Sequence, residues 1–164
     1  MSPSDYRPCV GIMLVNREGK AFVGRRIDNK EGDWWQMPQG GVDEGEEPAA
    51  ALVRELHEET GVADRFIEVI GRLPHEIYYD LPDELKGKLW GGRYFGQRQT
   101  WFCVRFTGSD ADIDPEAHDP PEFCDWRWVD PDQLPELIVP FKKPVYEAVV
   151  AGFRELTRPQ AAQR

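Results

Sequence analysis

The chain has 164 residues, 40% of them hydrophobic and 30% charged, with 20 Lys and Arg against 30 Asp and Glu. Length and composition predict one globular domain. The net charge of −10 argues against a general nucleic-acid coat or an anionic-membrane binder, which need a basic surface.

The N-terminal Met-Ser-Pro-Ser-Asp-Tyr-Arg-Pro has no apolar core, so no signal peptide is expected and a cytoplasmic location is. Cys9–Val15 and Ala21–Ile27 read as strands around an Asn16–Lys20 turn. The run Cys9–Val15 is far too short to span a bilayer. Asn29–Val42, rich in Gly and holding Trp34, Trp35 and Pro38, reads as an irregular loop. Pro48 suits a first helical turn and Gly61 a stop, which predicts a helix over Pro48–Thr60. Ala49, Leu52, Val53 and Leu56 fall at i, i+3, i+4 and i+7, so they are expected on its core face.

Phe66–Leu73, Glu76–Leu81, Thr100–Thr107 and Asp125–Val129 read as further strands. Asp130 opens a short helical turn ending near Leu137. Pro144–Leu156 reads as a second amphipathic helix, with Val145, Val149 and Phe153 at four-residue steps, and Thr157–Arg164 as a frayed tail. The sum is an α/β domain with a mixed sheet over residues 1–157. No apolar stripe is left unexplained, so a monomer is expected. Cys9, Cys103 and Cys124 are widely spaced with no C-x-x-C, and read as buried free thiols in a reducing compartment.

Two charge islands interrupt this pattern. Lys86–Arg98 carries Lys86, Lys88, Arg93 and Arg98 with Trp90, Tyr94 and Phe95 between them and no acid. Gly108–Asp125 is acidic throughout. Asp110, Asp112 and Asp114 begin like a calcium loop, but Pro115 and Pro121 stand where that loop requires Gly and Glu. A solvated loop is the simpler reading.

The strongest chemistry lies on the first helix. Glu55, Glu58 and Glu59 stand at i, i+3 and i+4, so they share one arc beside the core face. Like charges about 4 Å apart repel by about 1 kcal/mol in water and about 4 kcal/mol at an effective dielectric near 20. A solvated acidic face tolerates the first figure, whereas a stripe in a cleft needs a counter-ion. Oxygen ligands select Mg²⁺ or Mn²⁺ over zinc. His57 has no second His at i+4, which counts against a zinc-protease helix.

Wider spacing separates these readings. Gly40, five residues, Glu46, seven residues, then Arg54-Glu55-Leu56-His57-Glu58-Glu59-Thr60-Gly61-Val62 fits G-x5-E-x7-R-E-U-x-E-E-x-G-U at every position. Chance would produce such a match with a probability on the order of 10⁻⁷. Residues 40–62 thus resemble the box of the Nudix hydrolases. The resemblance implies an α/β/α sandwich that cleaves a nucleoside diphosphate linked to another group, with no organic cofactor. It also implies divalent cations held by Gly40, Glu55, Glu58 and Glu59, one carboxylate helping to deprotonate water, and a structural ion pair between Glu46 and Arg54.

The likeness extends over roughly residues 6 to 156, through Tyr6-Arg7-Pro8, Trp35–Gly41, Gly96-Gln97-x-Gln99-x-Trp101-Phe102, Pro121-Glu122-Phe123 and Phe141-Lys142. These resemble the branch of RNA pyrophosphohydrolases and asymmetric diadenosine tetraphosphate hydrolases. In that branch Glu122 matches a fourth metal carboxylate, and Arg7, Arg26, Gln97 and Lys142 match contacts to phosphate or the 5′ end. Tyr79 and Phe141 match rings beside the nucleotide, although core packing accounts for either ring equally well. Trp34-Trp35, Lys88–Gly92 and Phe141–Tyr146 resemble the diadenosine tetraphosphate enzymes, and the acidic charge suits a small ligand. A 5′-triphosphate RNA end needs only one local basic site. Both substrates therefore stand open, with DNA and membranes excluded. A catalytically inactive nucleotide- or RNA-end-binding module is the alternative from another class, and an acidic partner-binding domain lacks the heptads it would need.

Overall fold

Alternation along the two longest strands divides the core into two layers. The structure, a computed structural model, describes residues 2–27 and 33–158. Strand β1 (Tyr6–Val15) runs parallel to β7 (Gly96–Phe106) along its whole length. Side chains on successive strand residues point to opposite faces. Val10, Ile12, Leu14, Phe102 and Val104 enter one core layer, while Met13, Val15, Trp101 and Cys103 enter the other.

Shorter strands flank this central pair. β2 (Ala21–Arg26) and β4 (Gln39–Gly41) pair antiparallel with opposite ends of β1. β5 (Ile67–Arg72) and β6 (Ile77–Asp80) do the same along β7. β3 (Trp35–Gln36) and β8 (Phe123–Val129) both pair with β2. The result is a mixed sheet, eight-stranded among the described residues.

Helix α1 (Pro48–Thr60) covers one face with Ala51, Leu52 and Leu56. Short α2 (Leu134–Leu137) and α3 (Lys143–Phe153) cover the other, α3 through Val145, Tyr146, Val149, Val150 and Phe153. This is the expected α/β/α sandwich, and full burial of one such Leu or Val side chain is worth about 1.5–3 kcal/mol.

Several expectations need correction. Residues 35–36 and 39–41 are short strands rather than irregular loop, because β2 and β1 supply hydrogen-bonding partners. The part of the expected loop from Asn29 to Gly32 lies outside the described residues. β1, β7 and β8 each begin earlier than expected; the first residues of β1 and β7 are mostly polar, proline or glycine, whereas β8 opens on the buried Phe123. On α1, Ala49 and Val53 are exposed, and Glu59 and Thr60 take the buried positions instead. The helix is turned so that a carboxylate enters the protein. Cys124 is exposed, whereas Cys9 and Cys103 are buried as expected. Thr157 closes a short 3-10 turn from Arg154 rather than opening a tail, and residues 159–164 lie outside those described.

The end of α1 is fixed by its surroundings. Gly61 takes φ 73°, and its N–H donates to His57 O at 2.9 Å. Asp114 N–H donates to Thr60 O at 2.7 Å, so the acidic loop docks on this end of the helix. A Cβ on Gly61 would sit 2.5 Å from Asp114 O. Gly61→Ala is expected to destabilise the protein by about 1–3 kcal/mol through left-handed backbone strain. Urea unfolding checks this, and an unchanged midpoint would contradict it.

Candidate active site

The site forms where β4 brings a polar backbone beneath α1. Pro38 O accepts from Ile12 N–H at 2.9 Å, and Pro8 O accepts from Val42 N–H at 2.9 Å. From the opposite layer, the Tyr146 hydroxyl accepts from Met37 N–H at 2.8 Å. The segment Met37–Val42 is therefore held from both sides. At Gly40 the Glu55 carboxylate packs so closely that a Cβ would overlap it. A side chain at Gly40 would have to displace the Glu55 carboxylate.

Arg54 clamps the loop before α1. Its Nε and Nη2 donate to the two Glu46 oxygens at 3.0 and 2.8 Å, a bidentate fork. Nη2 also donates to Gly41 O at 2.9 Å, and Nη1 to Glu55 Oε1 at 2.8 Å. The Arg54 hydrogen bond, helped by the Asp43 N–H, holds the Glu46 carboxyl down at about 2. The expected Glu46–Arg54 pair is thus formed. Glu58 lies farther out, 3.6 Å from Arg54 Nη1.

Glu59 differs from the other box carboxylates. It is 2% exposed, and Gln39 N–H approaches its Oε1 at 3.4 Å. Its Oε2 is buried with no donor, and its acidic neighbours are Glu122 and Glu55. Burial first, then repulsion from those neighbours, pushes the Glu59 carboxyl well above its ordinary range. Burial also raises Glu55, opposed by its contacts with Glu59 and Arg54. The three-carboxylate stripe expected beside the core face is therefore graded, with Glu58 outermost and Glu59 beneath.

In these rotamers the carboxylates do not close a cage. Among the described residues, no group of three His, Cys, Asp or Glu side chains is placed to hold one ion. The donor set nevertheless fits a hard divalent cation. It consists of oxygens, one of them is buried without a donor, and neighbouring carboxylates raise the pKa of Glu59.

Beside these groups lies a cavity of about 740 Å³. Gly40, Glu55 and Glu122 line it, and so do Arg7, Arg26, Tyr79, Gln97, Phe141 and Lys142. Every residue expected to touch substrate therefore meets in one place. Glu58 and Glu59 do not reach the wall. Arg26 Nη1 stands 4.0 Å from Glu122 Oε1. Tyr79 and Phe141 have ring centroids 5.9 Å apart, and Lys142 Nζ lies 5.6 Å and 5.8 Å from them. Tyr79 is 8% exposed and belongs to the core while also lining the cavity. Burial, then the Arg26 charge, lowers the Lys142 amine to about 8.

The basic island Lys86–Arg98 lies mostly outside the cavity. It contributes Leu89 and Gln97 to the wall, but Lys86, Lys88, Arg93 and Arg98 do not line the cavity. Lys86 pairs with Asp83 at 3.4 Å and Arg98 with Glu76 at 3.0 Å. Trp34, Gln36 and Gln39 line the cavity and were missed as site residues. Their place beside Pro38 and Gly40 was the available signal. A larger groove, about 1270 Å³, lies around Arg17, Arg105 and Arg154. No box carboxylate lines it, so size does not locate the chemistry here.

Comparison with known proteins agrees with this geometry. The NUDIX domain model matches residues 5–149. An RNA pyrophosphohydrolase of Novosphingobium aromaticivorans is 63% identical over 92% of this chain and 94% of its own. One from Erythrobacter litoralis is 62% identical over 92% of each chain. Among solved structures, the E. coli dihydroneopterin triphosphate pyrophosphohydrolase superposes with a TM-score of 0.67 at 19% identity, covering 89% of this chain and 97% of its own. A C. elegans Ap4A hydrolase gives 0.61 at 13% identity, covering 90% and 98%. Those two show the fold alone. Among the described residues no helix is long and apolar enough to cross a membrane. The complete box on α1, the cavity beside it and the matched domain agree, and the chain belongs to the NUDIX family of hydrolases that cut phosphoanhydride bonds.

Proposed function

We propose that this chain removes pyrophosphate from the 5′-triphosphate end of RNA, with Mg²⁺ or Mn²⁺ as its cation. The observation that carries this reading is the single cavity in which Glu55 and Glu122 face Arg7, Arg26 and Lys142. The choice of RNA over a dinucleoside polyphosphate is supported by relatives at 63% and 62% identity that bear the RNA pyrophosphohydrolase name. The retention of every box carboxylate favours catalysis over a binding module.

Nudix hydrolysis depends on divalent cations. Such an ion supplies Lewis acidity and a bound water of lowered pKa. In this reading Glu55, Glu58, Glu59, Glu122 and Gly40 hold it, and one carboxylate accepts the proton of the attacking water. Arg7, Arg26 and Lys142 offset the phosphate charge, since positioning and electrostatics do most of the work in phosphoryl chemistry. Tyr79 and Phe141 offer ring faces to the first base, where stacking is worth about 1–3 kcal/mol per base.

Glu59 makes the cation requirement measurable without turnover. Its pKa is higher folded than unfolded, so the folded metal-free protein holds the proton more tightly. Stability therefore falls as pH rises from the unfolded value through the folded one. Glu59→Gln is expected to raise the thermal midpoint in chelator at pH 7.5 and abolish the gain that Mg²⁺ gives the wild type. Turnover should fall at least about 100-fold. Equal stabilisation of both proteins by Mg²⁺ in calorimetry would break the assignment.

Lys142, lowered to about 8, loses its charge as pH rises through that value. KM for a 5′-triphosphate substrate is expected to climb between pH 7 and 9. In Lys142→Arg the climb should disappear, because guanidinium stays charged. A flat wild-type profile would remove Lys142 from phosphate binding.

Substrate choice is tested by competition. The protein receives Mg²⁺ with diadenosine tetraphosphate and a short 5′-triphosphate RNA together. Monophosphorylated RNA is expected first. ATP and AMP appearing first would overturn the RNA reading in favour of the dinucleoside polyphosphate.

A further inference from the structure

A buried row of hydrogen bonds sets the polarity of one cavity wall. Gln97, Gln99 and Trp101 alternate along β7, so they share one face of the sheet. Trp101 Nε1 donates to Gln99 Oε1 at 2.8 Å. Indole N–H can only donate, so it fixes the Gln99 amide with oxygen toward Trp101 and NH2 away from it. That NH2 donates to Gln97 Oε1 at 2.8 Å and to Gln39 Oε1 at 3.0 Å. Both of those oxygens are therefore committed to Gln99. The NH2 groups of Gln97 and Gln39 remain for the cavity that these two residues line. Gln99 and Trp101 do not line it, and each is 1% exposed.

We propose that Gln99 is a positioning residue. It transmits the donor-only character of Trp101 through the amide row and so holds Gln97 and Gln39 as hydrogen-bond donors to phosphate oxygens of the substrate. The proposal rests on the reading that this cavity takes a phosphate chain. Glutamine has donor and acceptor ends of nearly equal size, so each orientation must be imposed by a neighbour. Here the imposing neighbour is one that cannot accept. An acceptor-only group in place of Gln99 would reverse the row. In Gln99→Glu the carboxylate can accept from Trp101, Gln97 and Gln39 together, which keeps it ionised. The oxygens of Gln97 and Gln39 would then face the phosphates and repel them.

The test compares Gln99→Glu, Gln99→Met and wild type by steady-state kinetics on 5′-triphosphate RNA with Mg²⁺. Side-chain amide NMR during titration with magnesium pyrophosphate supplies the second readout. Gln99→Glu is expected to raise KM about tenfold or more with kcat within about threefold, as loss of ground-state binding requires. Gln99→Met, which frees the amides without reversing them, should raise KM less. Pyrophosphate should shift the Gln97 NH2 resonances in wild type and not in Gln99→Glu. Equal KM in all three proteins, or a fall in kcat at constant KM, would overturn the proposal. If Gln99→Glu does not fold, Gln99→Met decides by the same readouts, an unchanged KM counting against it. Wild type that ignores triphosphate RNA while pyrophosphate still shifts Gln97 would sink the substrate reading and leave this one standing.

Discussion

A carboxylate enclosed with two more is a costly arrangement, because burial and repulsion both disfavour its charge. Glu59 is in that position, with Glu55 and Glu122 as neighbours and an oxygen that receives no hydrogen bond. Much of the surrounding structure consists of ways to keep it there. Leu52 and Leu56 anchor α1 on the sheet with its rotation fixed, and that rotation carries Glu59 inward. Gly40 removes the side chain that would hold Glu55 away from β4. Arg54 restrains Glu46 and Glu55 and ties the preceding loop to Gly41. The charge that remains uncompensated is the one a divalent cation would relieve. Stability given up at one residue is what ion binding there would recover.

The parallel pair β1 and β7 connects this point with the rest of the molecule. One end of each strand is apolar on both faces and builds the two core layers. The other end carries Arg7 on β1 and Gln97 and Gln99 on β7, with β4 and β6 alongside. The cavity therefore opens where the strands stop being core. It is floored by backbone that is paired within the sheet. α3 reaches the same segment from the opposite layer through Tyr146, which links the second hydrophobic layer to the position of Gln39 and Gly40.

The same division explains what could be read in advance. Helix α1 was legible to the residue, because a proline start, a glycine stop and the box spacing all coincide. The strands were legible where both faces are buried. Their early residues, Tyr6 to Pro8 and Gly96 to Gln99, carry polar groups for the site and so lack the alternation that announces a strand. Periodicity also misjudged the helix face, since Ala49 and Val53 are apolar yet exposed, while Glu59 is charged yet buried. Hydropathy ranks residues by their cost in an empty interior, and Glu59 occupies one arranged around a charge. The candidate substrate residues were found by resemblance and not by pattern, as Arg7, Arg26 and Lys142 are far apart in sequence and meet only in the fold.

Charge placement in the cavity follows from the same constraint. A triphosphate is a polyanion, and a protein of net charge −10 has to meet it with local cations. Those cations cannot be added freely beside a carboxylate metal site. Arg54 already shows the competition, since its Nη1 lies 2.8 Å from Glu55 and 3.6 Å from Glu58. Another guanidinium beside the box carboxylates would pair with them and compete with any cation there. Amide NH2 groups avoid that conflict, because they donate to phosphate oxygens without carrying a charge that a carboxylate would capture. Gln39, whose N–H lies 3.4 Å from Glu59, is joined to Gln97 through Gln99, while Lys142 sits over the Tyr79 and Phe141 rings. Neutral amide donors and cations thus share one cavity with Glu55 and Glu122, and Arg26 Nη1 stands 4.0 Å from Glu122 Oε1 within it.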